Sequence, residues 1–251
     1  TVQVEAALRG VGRNGFAVSH AVLYTVYGDG SIVADNSLFF EGRRVPLARL
    51  GVRLLLDPRL SRFAYFGRGP QENYADRKRG ADVGEYEGSV REQMTPYSRP
   101  MECGNHEDVR WAVLAGEPFG ALLVRPGSGG GVMQVSALPY SDEQMTPVEY
   151  AIDLPEPTST VLCINQHTLG VGSDSCGYPP LPPYMVWSDA DAFSYTLRLL
   201  PAGSDPAAAG RLPPPDDRTP AVTARRVEDG RIALACAAAD ARIEYALGGG
   251  P

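Results

Sequence analysis

The sequence predicts an all-β chain: one large antiparallel β-sandwich followed by part of a small second β-module. Short apolar runs with a period of two recur along residues 1–200, and glycine and proline punctuate them at 28 and 22 of 251 positions. Sustained helical periodicity is missing. Many short strands separated by Gly/Pro turns are the pattern of a sandwich.

The elements follow in order. AVLYTVYGDGSIVADNSLFF (21–40) reads as two strands around a Gly28-Asp29-Gly30 turn, a hairpin signal. YFGRGPQENYADRKRGADVGEYEGSV (65–90) is too polar and glycine-rich for a strand or an amphipathic helix, and is expected as a long ordered loop. FGALLVRP, GVMQVSAL and STVLCINQHT are short strands bounded by Gly, Pro or Ser, and MTPVEYAIDL (145–154) is the best short helix candidate. In FSYTLRLL, Phe193, Tyr195, Leu197 and Leu199 alternate with Ser194, Thr196 and Arg198, the mark of a half-buried antiparallel strand. The sandwich is expected over 1–200. From Pro201, PAGSDPAAAGRLPPPDD (201–217) reads as an extended linker. Residues 218–251 return to alternation for about three short strands, too few to bury much, and read as a partial appended module. The pentapeptide EQMTP occurs at Glu92 and Glu143, with different flanks and no longer repeat.

Composition narrows the function classes. A net charge of −7 and a pI near 5.0 argue against nucleic-acid and anionic-membrane partners, which need clustered Lys and Arg. No apolar run approaches the ~20 residues that cross a bilayer. Cys103, Cys163, Cys176 and Cys236 form no CxxC pair, so no metal site is predicted. Thr1 at the start and GGGP at the end suggest a piece of a longer polypeptide.

Three polar stretches could carry chemistry. The first packs Gln71, Glu72, Asn73, Asp76 and Arg77 between Tyr65, Phe66 and Tyr74, so aromatics can hold the loop against a neighbouring surface while its amides satisfy buried groups. The second, TPYSRPMECGNHEDVRW, offers Glu102, Asn105, His106 and Glu107 ahead of Trp111. Carboxylates, an imidazole and an aromatic wall suit sugar hydroxyls and pyranose faces. One His among carboxylates is a weak metal signal. The third, NQHTLGVGSDSCGYPPLPPY, presents Asp174 and Cys176; GVGSDS lacks the Lys-Ser/Thr and helix of a phosphate loop.

In this order the segments GRGPQENYADR, TPYSRPMECGNHEDVRW, VSALPYSDEQM and HTLGVGSDSCGYPPLPPY resemble the small-chain domain of family 2 β-galactosidases, covering about Gly67 to Tyr184. The resemblance implies an extended sandwich (supersandwich) similar to galactose mutarotase, joined to a catalytic (β/α)₈ barrel elsewhere in the polypeptide. It implies retaining hydrolysis of terminal β-D-galactosides such as lactose, by two glutamates that belong to the barrel. This chain is then inactive alone and carries no catalytic residue, lending loops to the sugar pocket through Cys176, Asp174, Glu102, Asn105 and His106. Cys176 stands where some relatives place a tryptophan platform, and Tyr150 where many carry His. Gln71, Glu72, Asn73, Tyr74, Asp76 and Arg77 are expected to dock the sandwich on neighbouring domains. No cofactor is expected in this chain, with Mg2+ and Na+ assigned to the catalytic part. The expected partners are galactosides, the other domains and further copies of the full enzyme; the expected compartment is the cytoplasm, or the cell surface or exterior if the appended module is a guide. The tail RIEYALGGGP is similar to the end of a small module found on hexosaminidases.

Two readings from other classes compete. A stand-alone carbohydrate-binding module would bind galactose or lactose by itself. An aldose epimerase needs a positioned acid/base pair, and the adjacent His106 and Glu107 would point to opposite faces of a strand.

Overall fold

The computed structural model describes residues 1–127, 129–172, 177, 179–212, 223–226 and 232–235. Its strands are β1 (Val2–Val11), β2 (Ala17–Val26), β3 (Ser31–Glu41), β4 (Arg49–Leu56), β5 (Arg62–Gly69), β6 (Asp82–Ser89), β7 (His106–Val109), β8 (Trp111–Gly116), β9 (Gly120–Pro126), β10 (Met133–Leu138), β11 (Thr160–Thr168) and β12 (Asp191–Leu200), then β13 (Thr223–Arg226) and β14 (Ile232–Ala235). Eight of them form one antiparallel sheet, ordered β1-β2-β3-β12-β9-β8-β5-β6; β4-β11-β10-β7 form the second layer. The core lies between the layers, with Phe63, Tyr65, Leu114 and Val124 of the large sheet packed with Val135, Leu162 and Ile164 of the small one. Such period-two strands are stable only when the apolar face of one sheet covers the other.

The predicted hairpin is β2–β3. Asp29 closes its turn by accepting from the Ser31 amide (2.9 Å) and hydroxyl (3.0 Å), while Gly30 takes a positive φ of 81°.

Four expectations are corrected. First, half of the polar run 65–90 is strand: β5 and β6 pair Tyr65 with Tyr86, Gly67 with Gly84 and Gly69 with Asp82, leaving 70–81 as the loop between them. Its alternation is hidden because the inward positions of β6 are Gly84, Tyr86 and Gly88, and the Tyr86 ring itself covers Gly84, where a Cβ would lie 3.2 Å from it. The glycine in β5 is required: a Cβ on Gly67 would sit 2.7 Å from Val109 Cγ2.

Second, the 145–154 helix does not form. Helix α1 (Asp142–Met145) ends where it was to begin, and a 3-10 turn occupies Ala151–Asp153. Pro147 lacks the amide a continuing helix needs. The start of α1 is marked by Ser141 and Gln144, whose side chain accepts from the Ser141 amide (2.9 Å).

Third, 201–217 is not extended at its beginning. Asp205 accepts from the Ala207 amide (3.0 Å), Pro206 opens helix α2 (Pro206–Gly210), and Ala209 is buried against Trp111, Val113 and Leu123 on the outer face of the large sheet.

Fourth, this cover changes β12. Phe193, Tyr195 and Leu197 face the core as the alternation predicts, but Leu199 is 76% exposed while Thr196 and Leu200 are buried on the α2 side. In the tail, β13 and β14 pair antiparallel, Thr223 opposite Ala235; the third expected strand and RIEYALGGGP lie outside the described residues.

Candidate functional site

Loop 70–81 is a framework rather than a free surface. Asn73 is fully buried: its Nδ2 donates to the Arg68 and Gln71 carbonyls (2.9 Å each), its Oδ1 accepts from the Glu107 amide (2.8 Å), and its own amide donates to the Asn105 carbonyl (2.7 Å). Asn105 is buried too, and returns the contact from its Nδ2 to the Asn73 carbonyl (2.8 Å). Glu72 accepts from the Gly104 amide (2.7 Å) and from the Tyr97 hydroxyl. Asp76 accepts from the Val171 and Gly172 amides (3.1 and 2.8 Å), and Arg77 donates to the Gly172 carbonyl. Among the residues expected to dock on neighbouring domains, Glu72, Asn73, Asp76 and Arg77 thus find partners inside this chain. Asn73 and Tyr74 are buried within it, and only Gln71 and Arg77 are exposed.

His106 is a core residue. Its ring lies 4.1 Å from the Tyr65 ring, Nδ1 meets the Arg68 carbonyl (3.1 Å) and Nε2 meets Gln93 Oε1 (2.9 Å). Burial lowers its pKa to about 4, so the imidazole is neutral at neutral pH. The next residue, Glu107, is also buried and reaches Lys78 Nζ (3.0 Å). Burial raises its pKa against the pull of that lysine. Lys78 also binds Asp108 (2.9 Å), which Arg68 meets at 2.5 Å. Asn105 and His106, expected among the sugar-binding residues, are thus enclosed by this polar network and the aromatic core.

Glu102 is different. It stands at the rim of a cleft of about 590 Å³ lined by Arg49, Tyr74, 99–102, Asp142 and Thr168–Val171. One guanidinium organises it: Arg49 Nη2 binds Glu102 and Asp142 (3.1 Å to the latter), while Nη1 donates to Cys163 Sγ (3.1 Å). Burial raises the Glu102 pKa, and Arg49 opposes the rise. Arg53, two positions after Gly51 on the same face of β4, continues the array to Glu143 (2.7 Å) and Asp142 (3.6 Å). A second cleft of about 740 Å³ lies beyond Tyr74 and Val171, which line both, and holds Glu72, Asp76, Arg77 and Tyr97. The three polar stretches therefore converge on one surface, along the turn 170–172. Asp174 and Cys176, which follow that turn, lie outside the described residues, as does Cys236; Cys103 and Cys163 are buried free thiols.

Sequence reasoning missed Arg49 and Asp142. Both face the cleft, one from β4 and one from the first turn of α1. The Ser141–Gln144 spacing carried a signal for the helix start, but nothing in the sequence joins it to Arg49.

The family model described as "Beta galactosidase small chain" matches residues 1–199. This chain belongs to that family. Among its relatives, a β-galactosidase of Priestia megaterium is 33% identical over 180 residues, 72% of this chain and 17% of that protein. One of Lactobacillus delbrueckii subsp. bulgaricus is 34% identical over 61% of this chain and 15% of its own length. β-Galactosidase BgaC of Bifidobacterium adolescentis is 33% identical over 52% and 12% respectively. The small-chain domain thus spans 12–17% of the length of these relatives. All three polar stretches and both clefts fall inside the matched residues.

Proposed function

We propose that this small-chain domain is the C-terminal sandwich of a retaining β-galactosidase that hydrolyses terminal β-D-galactosides such as lactose, and that it supplies a wall of the sugar pocket. The observation that carries the reading is the convergence of 99–102, α1 and 168–171 on one cleft whose carboxylates are already paired. A retaining glycosidase needs one free nucleophilic carboxylate and one proton-bearing partner ~5–5.5 Å away. Glu102 and Asp142 instead share the Arg49 guanidinium, an arrangement suited to shaping a polar rim. The nucleophile and the acid/base are therefore assigned to the remainder of the polypeptide.

Mg2+ and Na+ are assigned to that remainder as well. Among the described residues no group of three or more His, Cys, Asp and Glu side chains is arranged to hold an ion.

Hydrogen exchange on the longer polypeptide with and without isopropyl thiogalactoside tests the proposal. Amides of 99–102, 142–146 and 168–172 are expected to gain protection on binding, while those of β1–β3 do not change. Protection confined to the rest of the polypeptide would remove this domain from the pocket.

A further inference from the structure

The Asp76–Arg77 pair was expected to bind another domain, yet both side chains turn onto the 170–172 turn of this one. Asp76 is an acceptor in a nearly enclosed place: its side chain is 6% exposed, and its two oxygens take the consecutive amides of Val171 and Gly172 at 3.1 and 2.8 Å. Two successive backbone amides aimed at one carboxylate fix the orientation of the peptide between them, because a charged acceptor shortens and aligns each bond. Arg77 takes the opposite pole of the same residue by donating to the Gly172 carbonyl, and its Nη1 also donates to the Asp76 carbonyl at 3.1 Å.

The turn is shaped to receive this grip. Gly172 has φ of 86°, a conformation that disfavours any side chain. At Gly170 a Cβ would lie 2.8 Å from the Asp76 carboxyl and 3.0 Å from Tyr184 Cβ, so only glycine lets the carboxylate approach. The turn is anchored on its other side as well, by the Leu169 amide to the Ala48 carbonyl (2.9 Å) and the Gly170 amide to the Tyr184 carbonyl (3.1 Å). Val171, held between these contacts, lines both clefts.

Resting on the pocket reading above, we infer that Asp76 and Arg77 are positioning residues for substrate binding: by clamping both poles of Gly172 they fix the turn 170–172 as the ridge between the two clefts. They need not touch substrate. Their role is to hold Val171 where a galactoside meets it.

The test uses the longer polypeptide and o-nitrophenyl galactoside. Asp76→Asn keeps the shape but leaves one oxygen, so one of the two amides loses its acceptor. KM should rise on the order of tenfold while kcat changes by less than about threefold, since weaker ground-state holding appears in KM. Gly170→Ala, which pushes the carboxylate away from the other side, should reproduce the same split. Arg77→Met should raise KM, and Arg77→Lys, which keeps a donor for the Gly172 carbonyl, should recover most of it. Phe63→Leu, a core change far from the turn, controls for lost stability: it should lower the melting temperature and leave KM in place. A wild-type KM in Asp76→Asn, or the same KM rise in Phe63→Leu, would overturn the assignment. A wild-type polypeptide that cleaves no galactoside would instead refute the proposed function, separately from the clamp.

Discussion

Replacing Asn73 by alanine is the sharpest probe of the framework beneath the site. The side chain makes three hydrogen bonds in a place with no exposure: two donated to the Arg68 and Gln71 carbonyls and one accepted from the Glu107 amide. Alanine deletes all three and leaves those backbone groups without partners beside the buried Asn105 and Glu107. Each unsatisfied buried group costs about 1–3 kcal/mol. The loop has a solvent-facing side, at Gln71 and Arg77, through which it can relax and admit water. A loss of about 3–5 kcal/mol is therefore expected, which places it among the severe single substitutions. Urea unfolding of the purified chain, followed by Trp fluorescence, measures it as a lower midpoint with an unchanged slope. A loss below about 1 kcal/mol would show that loop 70–81 is not what holds the β5–β7 region together, because even one orphaned group costs that much.

Three further outcomes follow from the same geometry. The His106 imidazole, with its pKa lowered to about 4 from 6.5, should show no NMR titration between pH 5 and 8. Since the unfolded chain takes up that proton first, its contribution to stability is intact above the unfolded value and is lost as pH falls from about 6.5 to about 4; equilibrium unfolding across that window should show stability rising with pH, and a flat profile in which His106→Gln makes no difference would contradict it. Arg49→Met removes the cation that opposes the burial-driven rise at Glu102, so the Glu102 carboxyl should titrate still higher by ¹³C NMR; an unchanged or lower value would disprove the pairing. Gly210→Val drives a side chain into the Trp111 ring, 2.4 Å from where its Cβ would lie, and should cost about 1–3 kcal/mol with a red shift of Trp emission; a neutral result would detach α2 from the sheet.

Much of the sandwich was legible from short apolar runs between turns, and alternation survives where inward positions carry large side chains, as at Phe193, Tyr195 and Leu197 of β12. It failed at β6, where glycines flank Tyr86 on the inward face and the Tyr86 ring covers Gly84, so one large side chain stands for two positions. It failed again at Leu199 and Leu200, since a period of two cannot say which face a short distant helix will cover. The α2 start was readable after all: Asp205-Pro206 ahead of an alanine run is a capping signal, outweighed by the surrounding prolines. For the site, composition pointed to segments that the fold brings to one surface, but it could not tell which of their side chains are buried. Asn105, His106 and Glu107 have the chemistry of a sugar site, yet their side chains meet Asn73, the Arg68 carbonyl with Gln93, and Lys78 respectively, because a buried polar network and a binding site draw on the same residue types. Arg49 and Asp142 come from a plain strand and a turn, and only the fold brings them to Glu102.

Under the proposed function this domain shapes a pocket whose bond-breaking groups lie elsewhere in the polypeptide. Release of o-nitrophenol from o-nitrophenyl galactoside tests it directly, with the purified chain and the longer polypeptide compared under the same conditions. Turnover by the longer polypeptide, and none by the chain above its heat-denatured control, is the expected result. Sustained hydrolysis by the chain alone, abolished by Glu102→Gln, would contradict the claim and move the chemistry into the Arg49 cleft.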